Sequence, residues 1–337
     1  MALSKIETNS LDVGQIGGRR NMFLNGAFQV WQRGISFSSA GSGTNADMWR
    51  CEPRSGTTVA VDRTTDVPVN TNFSYSWKCS ATGATDDGFH LRTAVELDEA
   101  GNYQKFAQGT NLILSFWAKK TSAGTQTSLN PVLFLANGMN GNSYTQNATR
   151  TESNGTLTNN WQRFVFHYTC PTWAAGAGSL SDMKCLVLRL LMGTNDTPQD
   201  LYLTGVQLEY GSGEPSSFEH RSYGEELQLC QRYFERTGIG SPGIANSTTG
   251  IWTGLTFKTA KRATPSVSLI STTMRYYKFG VSNRDTTSAN VSGIYSNNNG
   301  MLVKVEGFSG LNANESTLLG GPNGNTEPDT FNIDAEL

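Results

Sequence analysis

A chain of 337 residues exceeds what one ordinary hydrophobic core fills, so two domains are expected. Charged residues make up only 16%, the net charge is −2 and no long basic run occurs, which argues against a nucleic-acid partner. With 10% aromatics, 36 glycines and abundant Ser, Thr and Asn, the composition points to an all-β protein with long loops rather than to disorder.

Residues 1–20 are polar, with sparse apolar positions and a basic pair at Arg19 and Arg20. They read as a flexible lead or as an arm that orders against a partner. The first ten residues lack the apolar core of a signal peptide, and no stretch reaches the roughly 20 apolar residues of a membrane span, so no membrane insertion is expected. From residue 21 the pattern tightens. Phe23, Phe28, Val30 and Trp31 surround the turn dipeptide Asn25-Gly26, and Asp47 and Trp49 follow a Gly/Ser loop. Strands are predicted at 57–63, 74–80, 89–95, 112–119, 132–135, 161–169, 184–192 and 201–208. The segment 112–119 places Leu112, Leu114, Phe116 and Ala118 on one face, the period of a sandwich strand. KCLVLRLLM at 184–192 is the most apolar run and reads as a central strand. Strands separated by turns predict a two-sheet antiparallel jelly roll over 21–217.

Residues 218–234 (FEHRSYGEELQLCQRYF) form the one convincing helical pattern. Tyr223, Leu227, Cys230 and Phe234 recur in heptad-like steps. Glu225 and Glu226 open the first turn, Arg232 and Arg236 stand at the far end, and Gly238 offers a stop. This segment, 218–236, is expected to join two β domains and to meet its own copies. Beyond it, 237–337 carries six short strand patterns at 251–258, 266–270, 275–281, 291–295, 301–306 and 330–335, as in a small sandwich or a trimeric tip. The five cysteines, Cys51, Cys79, Cys170, Cys185 and Cys230, are odd in number and lack a C-x-x-C pair, so neither a disulfide framework nor a zinc site is expected. Folding in a reducing compartment fits that pattern.

Six ordered blocks carry a resemblance: NMFLNGAFQVWQRG at 21–34, ADMW at 46–49, LSFWAK at 114–119, WQRFVF at 161–166, GVQLEYG at 205–211, and the 218–234 segment. Together they resemble the tail fiber proteins of tailed bacteriophages, and the first domain is similar to the jelly roll of carbohydrate-binding modules. The resemblance implies a homotrimer on the virion, made in the host cytoplasm. Its N-terminal arm would dock on a tail or baseplate protein, its distal end would meet a host surface polysaccharide, and Tyr223, Leu227, Cys230 and Phe234 would face the threefold axis. It leaves open a purely structural fiber, a polysaccharide depolymerase and a secreted carbohydrate-binding module.

No nucleophile or zinc-protease signature stands out, and the protein is expected not to be an enzyme. His167 and His220 read as structural. The Asp86-Asp87 pair before His90 could act as acid and base only if it flanked a sugar bond. No cofactor is expected; the jelly-roll resemblance implies room for a structural calcium ion, with Asp47 and Glu209 as the candidate ligands, against the reading of both as ordinary loop carboxylates. Glu209 could equally pair with Arg33 or Arg50. For glycan contact, flat exposed aromatics matter because a sugar's C–H face packs on them. The candidates are Trp173 and Tyr144 in the first domain, and Trp252, Tyr276, Tyr277 and Tyr295 in the tip. Trp31, Trp49, Trp117 and Trp161 read as core.

Overall fold

The computed structural model describes residues 20–38, 40, 43–54, 57–82, 88–121, 128–192, 199–237, 241–277, 284–286, 288–320 and 331–337. The expected attachment arm, apart from Arg20, and the Asp86-Asp87 pair lie outside them. The chain divides into two compact units, 1–223 together with Leu337, and 224–336. Among the described residues no helix is long and apolar enough to cross a membrane.

The first unit is an all-β sandwich. One seven-stranded antiparallel sheet runs Ser36–Phe37, Thr58–Thr64, Ser76–Thr82, Gln199–Tyr210, Asn111–Lys120, Gln162–Thr169, Thr149–Arg150. The other runs Ala175–Ala177, Tyr144–Thr145, Ser128–Ala136, Cys185–Met192, Phe89–Glu96, Arg50–Pro53, Gly43–Thr44, with Gly155–Thr156 added beside Ser128–Ala136. From Ser76–Thr82 onward, successive long strands alternate between the sheets, as in a jelly roll. Period-two alternation drives each inward set into the core. Leu112, Leu114, Phe116 and Ala118 are all buried, and so are Leu186, Leu188 and Leu190. Trp77 of one sheet meets Phe89 of the other at 6.2 Å between ring centroids. Cys185–Met192 pairs along its whole length with Phe89–Glu96 on one side and Ser128–Ala136 on the other, the central place its apolar run predicts. Trp31 and Trp49 are core residues, whereas Trp117 and Trp161 are half-buried on the outer side, where the Trp161 indole donates to Asp66 at 3.0 Å. All five cysteines are buried thiols outside any disulfide.

The predicted long helix is shorter than its pattern. It spans Tyr223–Gln231, nine residues. Residues 218–221 are not helical because their side chains bind elsewhere in the first unit. Phe218 packs edge-on against Phe73 at 5.0 Å, and the His220 ring packs against both. Glu219 accepts from the Asn21 backbone N–H at 2.7 Å, and the Arg221 guanidinium donates to the carbonyls of Asn21 and Phe23. Past the helix, Phe234–Thr237 is a strand.

The second unit has a three-stranded sheet, Phe234–Thr237, Phe331–Asp334, Ser266–Leu269. Its seven-stranded sheet runs Arg284–Thr286, Met274–Tyr277, Ser316–Gly320, Ser241–Ala245, Gly250–Thr256, Gly300–Glu306, Asn290–Ser296. Ile251, Tyr276, Val303, Val305, Leu319, Phe331 and Ile333 form its core. The strands Phe234–Thr237, Ser241–Ala245 and Ser316–Gly320 were not predicted. Ser241–Ala245 (SPGIA) and Ser316–Gly320 (STLLG) are short and Gly- or Ser-rich, and they become strands because neighbours on both sides pair with them.

Candidate functional site

The outward face of the eight-stranded sheet in the first unit is made by alternate residues of neighbouring strands. Antiparallel register sets Arg50 directly opposite Arg92, and Arg92 directly opposite Arg189. Val132 continues the row beyond Arg189. One row along, Glu52 faces His90. On the other side Ala94, Val187 and Phe134 share the face. Directly opposed residues hold their Cβ atoms about 4.5–5.5 Å apart, and like charges so placed repel.

Glu52 is the acid nearest this row. Its Oε2 lies 2.8 Å from Arg92 Nη2 and 3.8 Å from His90 Nδ1, and its Oε1 lies 3.2 Å from Arg50 Nε. Arg92 Nη1 also donates to the Met139 carbonyl at 3.1 Å. Arg189 makes no hydrogen bond or ion pair among the described residues. Its guanidinium lies 5.2 Å from the Phe134 ring centroid, and its Nε is buried without a partner. Burial first, then neighbouring guanidiniums, push the Arg92 and Arg189 pKa values below the ordinary arginine range against the opposing pull of Glu52. Burial likewise lowers the His90 pKa, with Glu52 opposing and Arg189, Arg92 and Arg54 adding to the effect. Burial alone would raise the Glu52 pKa, but the His90 contact and the arginines hold it below the usual carboxylate value.

The 137–147 segment, which contains the short strand Tyr144–Thr145, bounds a cleft of about 460 Å³ lined by Arg92, Phe134, Tyr144, Gln146, Asn147 and Arg189. That is the size range of a small-ligand site. Tyr144 is 46% exposed, with its ring held edge-on against Phe134 at 6.4 Å. Gln146 is committed to the 172–174 segment, donating to the Thr172 carbonyl at 3.1 Å and accepting from the Ala174 N–H at 3.1 Å. The exposed Asn147 amide makes no hydrogen bond among the described residues, so it is open to a ligand hydroxyl. Beside the cleft, Met139 and Leu337 cover the apolar part of the same face, formed by Ala94, Ala136, Cys185 and Val187.

Of the predicted glycan residues, Tyr144 is the one that falls in this cleft. Trp173 is not an exposed loop aromatic: it is 5% exposed, and its indole N–H donates to the Phe106 carbonyl at 2.6 Å. Tyr276 is buried because alternation along Met274–Tyr277 turns it into the core, leaving Tyr277 half-buried. Trp252 (44% exposed) and Tyr295 remain on the outer side of the second unit. Trp252 lines an apolar cleft of about 790 Å³ with Ile244, Leu302, Asn246, Asn314 and Thr317, where no charged side chain converges. The sequence placed none of Arg50, Arg92 and Arg189 in a binding site, because they lie on three strands that only the sheet brings together. The available signal was Arg189 itself, a cation inside the most apolar run of the chain.

The two proposed metal ligands serve as internal braces instead. Asp47 accepts from the Gln32 backbone N–H at 2.7 Å and from its amide at 3.1 Å, with Arg33 at 3.7 Å. Burial raises the Asp47 pKa, with Arg33 and Gln32 opposing. Glu209 accepts from the Ser216 N–H at 2.9 Å, the Ser216 hydroxyl at 2.6 Å and the Gln207 amide at 3.2 Å, rather than pairing with Arg33 or Arg50. Among the described residues no group of three or more His, Cys, Asp or Glu side chains could hold a metal ion.

No family model matches the chain, and no curated protein matches its sequence. Among solved structures, a protein of Bacteroides thetaiotaomicron VPI-5482 overlaps it at TM-score 0.37 and 14% identity, covering 57% of this chain and 100% of that one. A CBM22-1 xylan-binding domain from Paenibacillus barcinonensis overlaps at TM-score 0.30 and 15% identity, over 53% of this chain and 95% of that one. The enzymatically active domain of a tailspike protein from Bacteriophage CBA120 overlaps at TM-score 0.31 and 15% identity; the match spans 52% of this chain and only 22% of the tailspike chain. At such overlaps no ligand or activity transfers to this chain.

Proposed function

We propose that the chain is a tail fiber protein of a tailed bacteriophage that adheres, without chemistry, to a glycan on the host bacterial surface during adsorption. The observation that carries the adhesive part is the cleft beside Tyr144, where an exposed aromatic ring, a free amide and convergent guanidiniums meet on a rigid sheet. This is the mixture a sugar needs: a flat apolar wall for its C–H face and donors for its oxygens. The ordered sequence blocks support the virion assignment. The cleft lining carries no carboxylate among the described residues, which favours binding over a two-carboxylate hydrolysis.

On this reading the chain is a homotrimer, docked on the tail or baseplate through its N-terminal arm. Cys230 and Phe234 are buried within their own chain, so the helical stripe offers a partner copy only Tyr223 and Leu227. Light scattering on the full chain is expected to give the trimer mass, and Leu227→Asp to weaken it. A Leu227→Asp chain that stayed as trimeric as wild type would remove the helix from the interface.

The adhesive reading is tested on an array of bacterial surface polysaccharides. The full chain is expected to bind a subset, and Tyr144→Ala to bind at least tenfold more weakly with an unchanged melting temperature. A trimer that bound no polysaccharide would instead be a structural fiber or adaptor. Release of reducing ends from a bound polysaccharide would make it a depolymerase.

A further inference from the structure

We infer that the cleft beside Tyr144 selects an acidic sugar, whose carboxylate or phosphate group seats against Arg189 and Arg92 while the ring packs on Tyr144. The inference rests on the reading of this cleft as a glycan site and adds the class of glycan.

Three guanidiniums stand side by side in register, Arg50, Arg92 and Arg189. Glu52 answers the first two, at 3.2 and 2.8 Å. Arg189, the one nearest Tyr144 and Phe134 in the lining, has no anion among the described residues, and its buried Nε–H has no acceptor. An unsatisfied buried donor costs stability, and directly opposed like charges add to that cost. Packing explains only part of this. The Arg189 guanidinium lies 5.2 Å from the Phe134 ring centroid, a cation–π contact that gives its N–H edge no acceptor. The planar arginine fork is itself pre-organised, so that less freedom is lost per hydrogen bond when an anion binds across it. A neutral sugar would meet that edge with hydroxyls alone, whereas an anionic substituent makes charge-assisted, bidentate bonds of roughly twice the strength. Arg54, whose charge also acts on His90, Arg92 and Arg189, raises the positive potential of the same face.

The test compares full-length protein on three probes: an oligogalacturonate, the same oligosaccharide with its carboxyls reduced to alcohols, and a phosphomannan oligosaccharide. Binding is measured by calorimetry at low and high salt. An acidic probe is expected to bind at least tenfold tighter than the carboxyl-reduced one, about 1.4 kcal/mol, with the gap narrowing in salt. Arg189→Gln is expected to erase the gap and Arg189→Lys to restore part of it. A stronger carboxylate or phosphate arm identifies the anion, and either supports the inference. If the carboxyl-reduced probe bound as tightly as its parent and Tyr144→Ala abolished both, the cleft would be a neutral-sugar site and the inference alone would fall. If no probe bound in a Tyr144-dependent way, the inference and the glycan reading of the cleft would fall together. Should Arg189→Gln not fold, the comparison of parent and reduced probes on the wild-type chain decides the matter.

Discussion

Lys261 and Glu235 form an ion pair from which water is wholly excluded. Nζ stands 2.9 Å from Oε2, and neither side chain exposes any surface. Lys261 also donates to the Gln231 carbonyl at the end of the helix, and the Glu235 carboxylate accepts from the Lys258 backbone N–H at 3.1 Å. Burial pushes the lysine pKa down, with Glu235 opposing it. The pair ties the end of the helix to the strand that follows it.

Removing one member strands the other in a dry interior. Lys261→Met is therefore expected to cost about 3–5 kcal/mol in urea unfolding. The double change Lys261→Met with Glu235→Leu is expected to recover most of that loss. A single variant as stable as wild type would show that water reaches the carboxylate.

The second prediction concerns pH. The His167 ring lies 2.8 Å from the Gly213 carbonyl and 2.5 Å from Glu152 Oε1. The Gly213 carbonyl first, then Glu152, raises the His167 pKa above its usual 6.5. For Glu152, partial burial pushes upward but is outweighed by the His167 backbone and ring contacts, so its pKa falls below the usual 4.5. The histidine's contribution is present below 6.5 and lost as pH rises through its raised pKa. The glutamate's is present above 4.5 and lost as pH falls through its lowered pKa. The stability difference between wild type and His167→Gln should therefore peak between those usual values and shrink on both sides. Urea midpoints across pH measure it, and a difference independent of pH would refute the pairing. Both groups are partly solvated, so the effect should also weaken in salt.

Gly26 supplies a backbone test. A Cβ built there would stand 2.1 Å from the Val206 carbonyl oxygen, while Val206 N–H donates to the Gly26 carbonyl at 2.9 Å. The obstacle is main chain and cannot swing aside. Gly26→Ala is expected to cost about 1–3 kcal/mol by overpacking. Gly224, within the helix and with nothing near its would-be Cβ, should gain up to about 1 kcal/mol as Gly224→Ala. Chemical denaturation of the two variants should move in opposite directions.

Arg221 closes the first unit on itself, donating to the Asn21 and Phe23 carbonyls, with Glu219 Oε1 3.4 Å from its Nε. Arg221→Met is expected to leave those carbonyls short of donors and to cost about 1–3 kcal/mol. Hydrogen exchange at residues 22–24 should rise with it. Unchanged exchange there would mean that the Met22–Leu208 backbone bond alone holds the segment.

The Asn25-Gly26 dipeptide shows how much of a local signal depends on distant residues. The dipeptide predicts a turn, and the structure gives its two residues different tasks. In the structure Asn25 takes the left-handed conformation, at φ 53°, and its side chain bonds the Val30 and Asp47 carbonyls. Gly26 is needed for close approach to Val206, a residue far away in sequence. The helical stripe fails in a related way. Phe234 fits a heptad step from Cys230, yet the partner strand Phe331–Asp334 recruits it into a sheet, and no local pattern contains that partner.

By itself the sequence determined what depends on near neighbours along the chain. Period-two runs such as 112–119 and 184–192 must bury one face, so the strands, their inward faces and the all-β class follow from residue order. Only the tertiary structure decided what depends on which strands become neighbours. Cross-strand register aligned Arg50, Arg92 and Arg189 and set Glu52 against two of them. It sent Trp173 and Tyr276 inward and left Tyr144 at the mouth of the cleft. A sheet face is a two-dimensional pattern, and a chain read in one dimension holds only its columns.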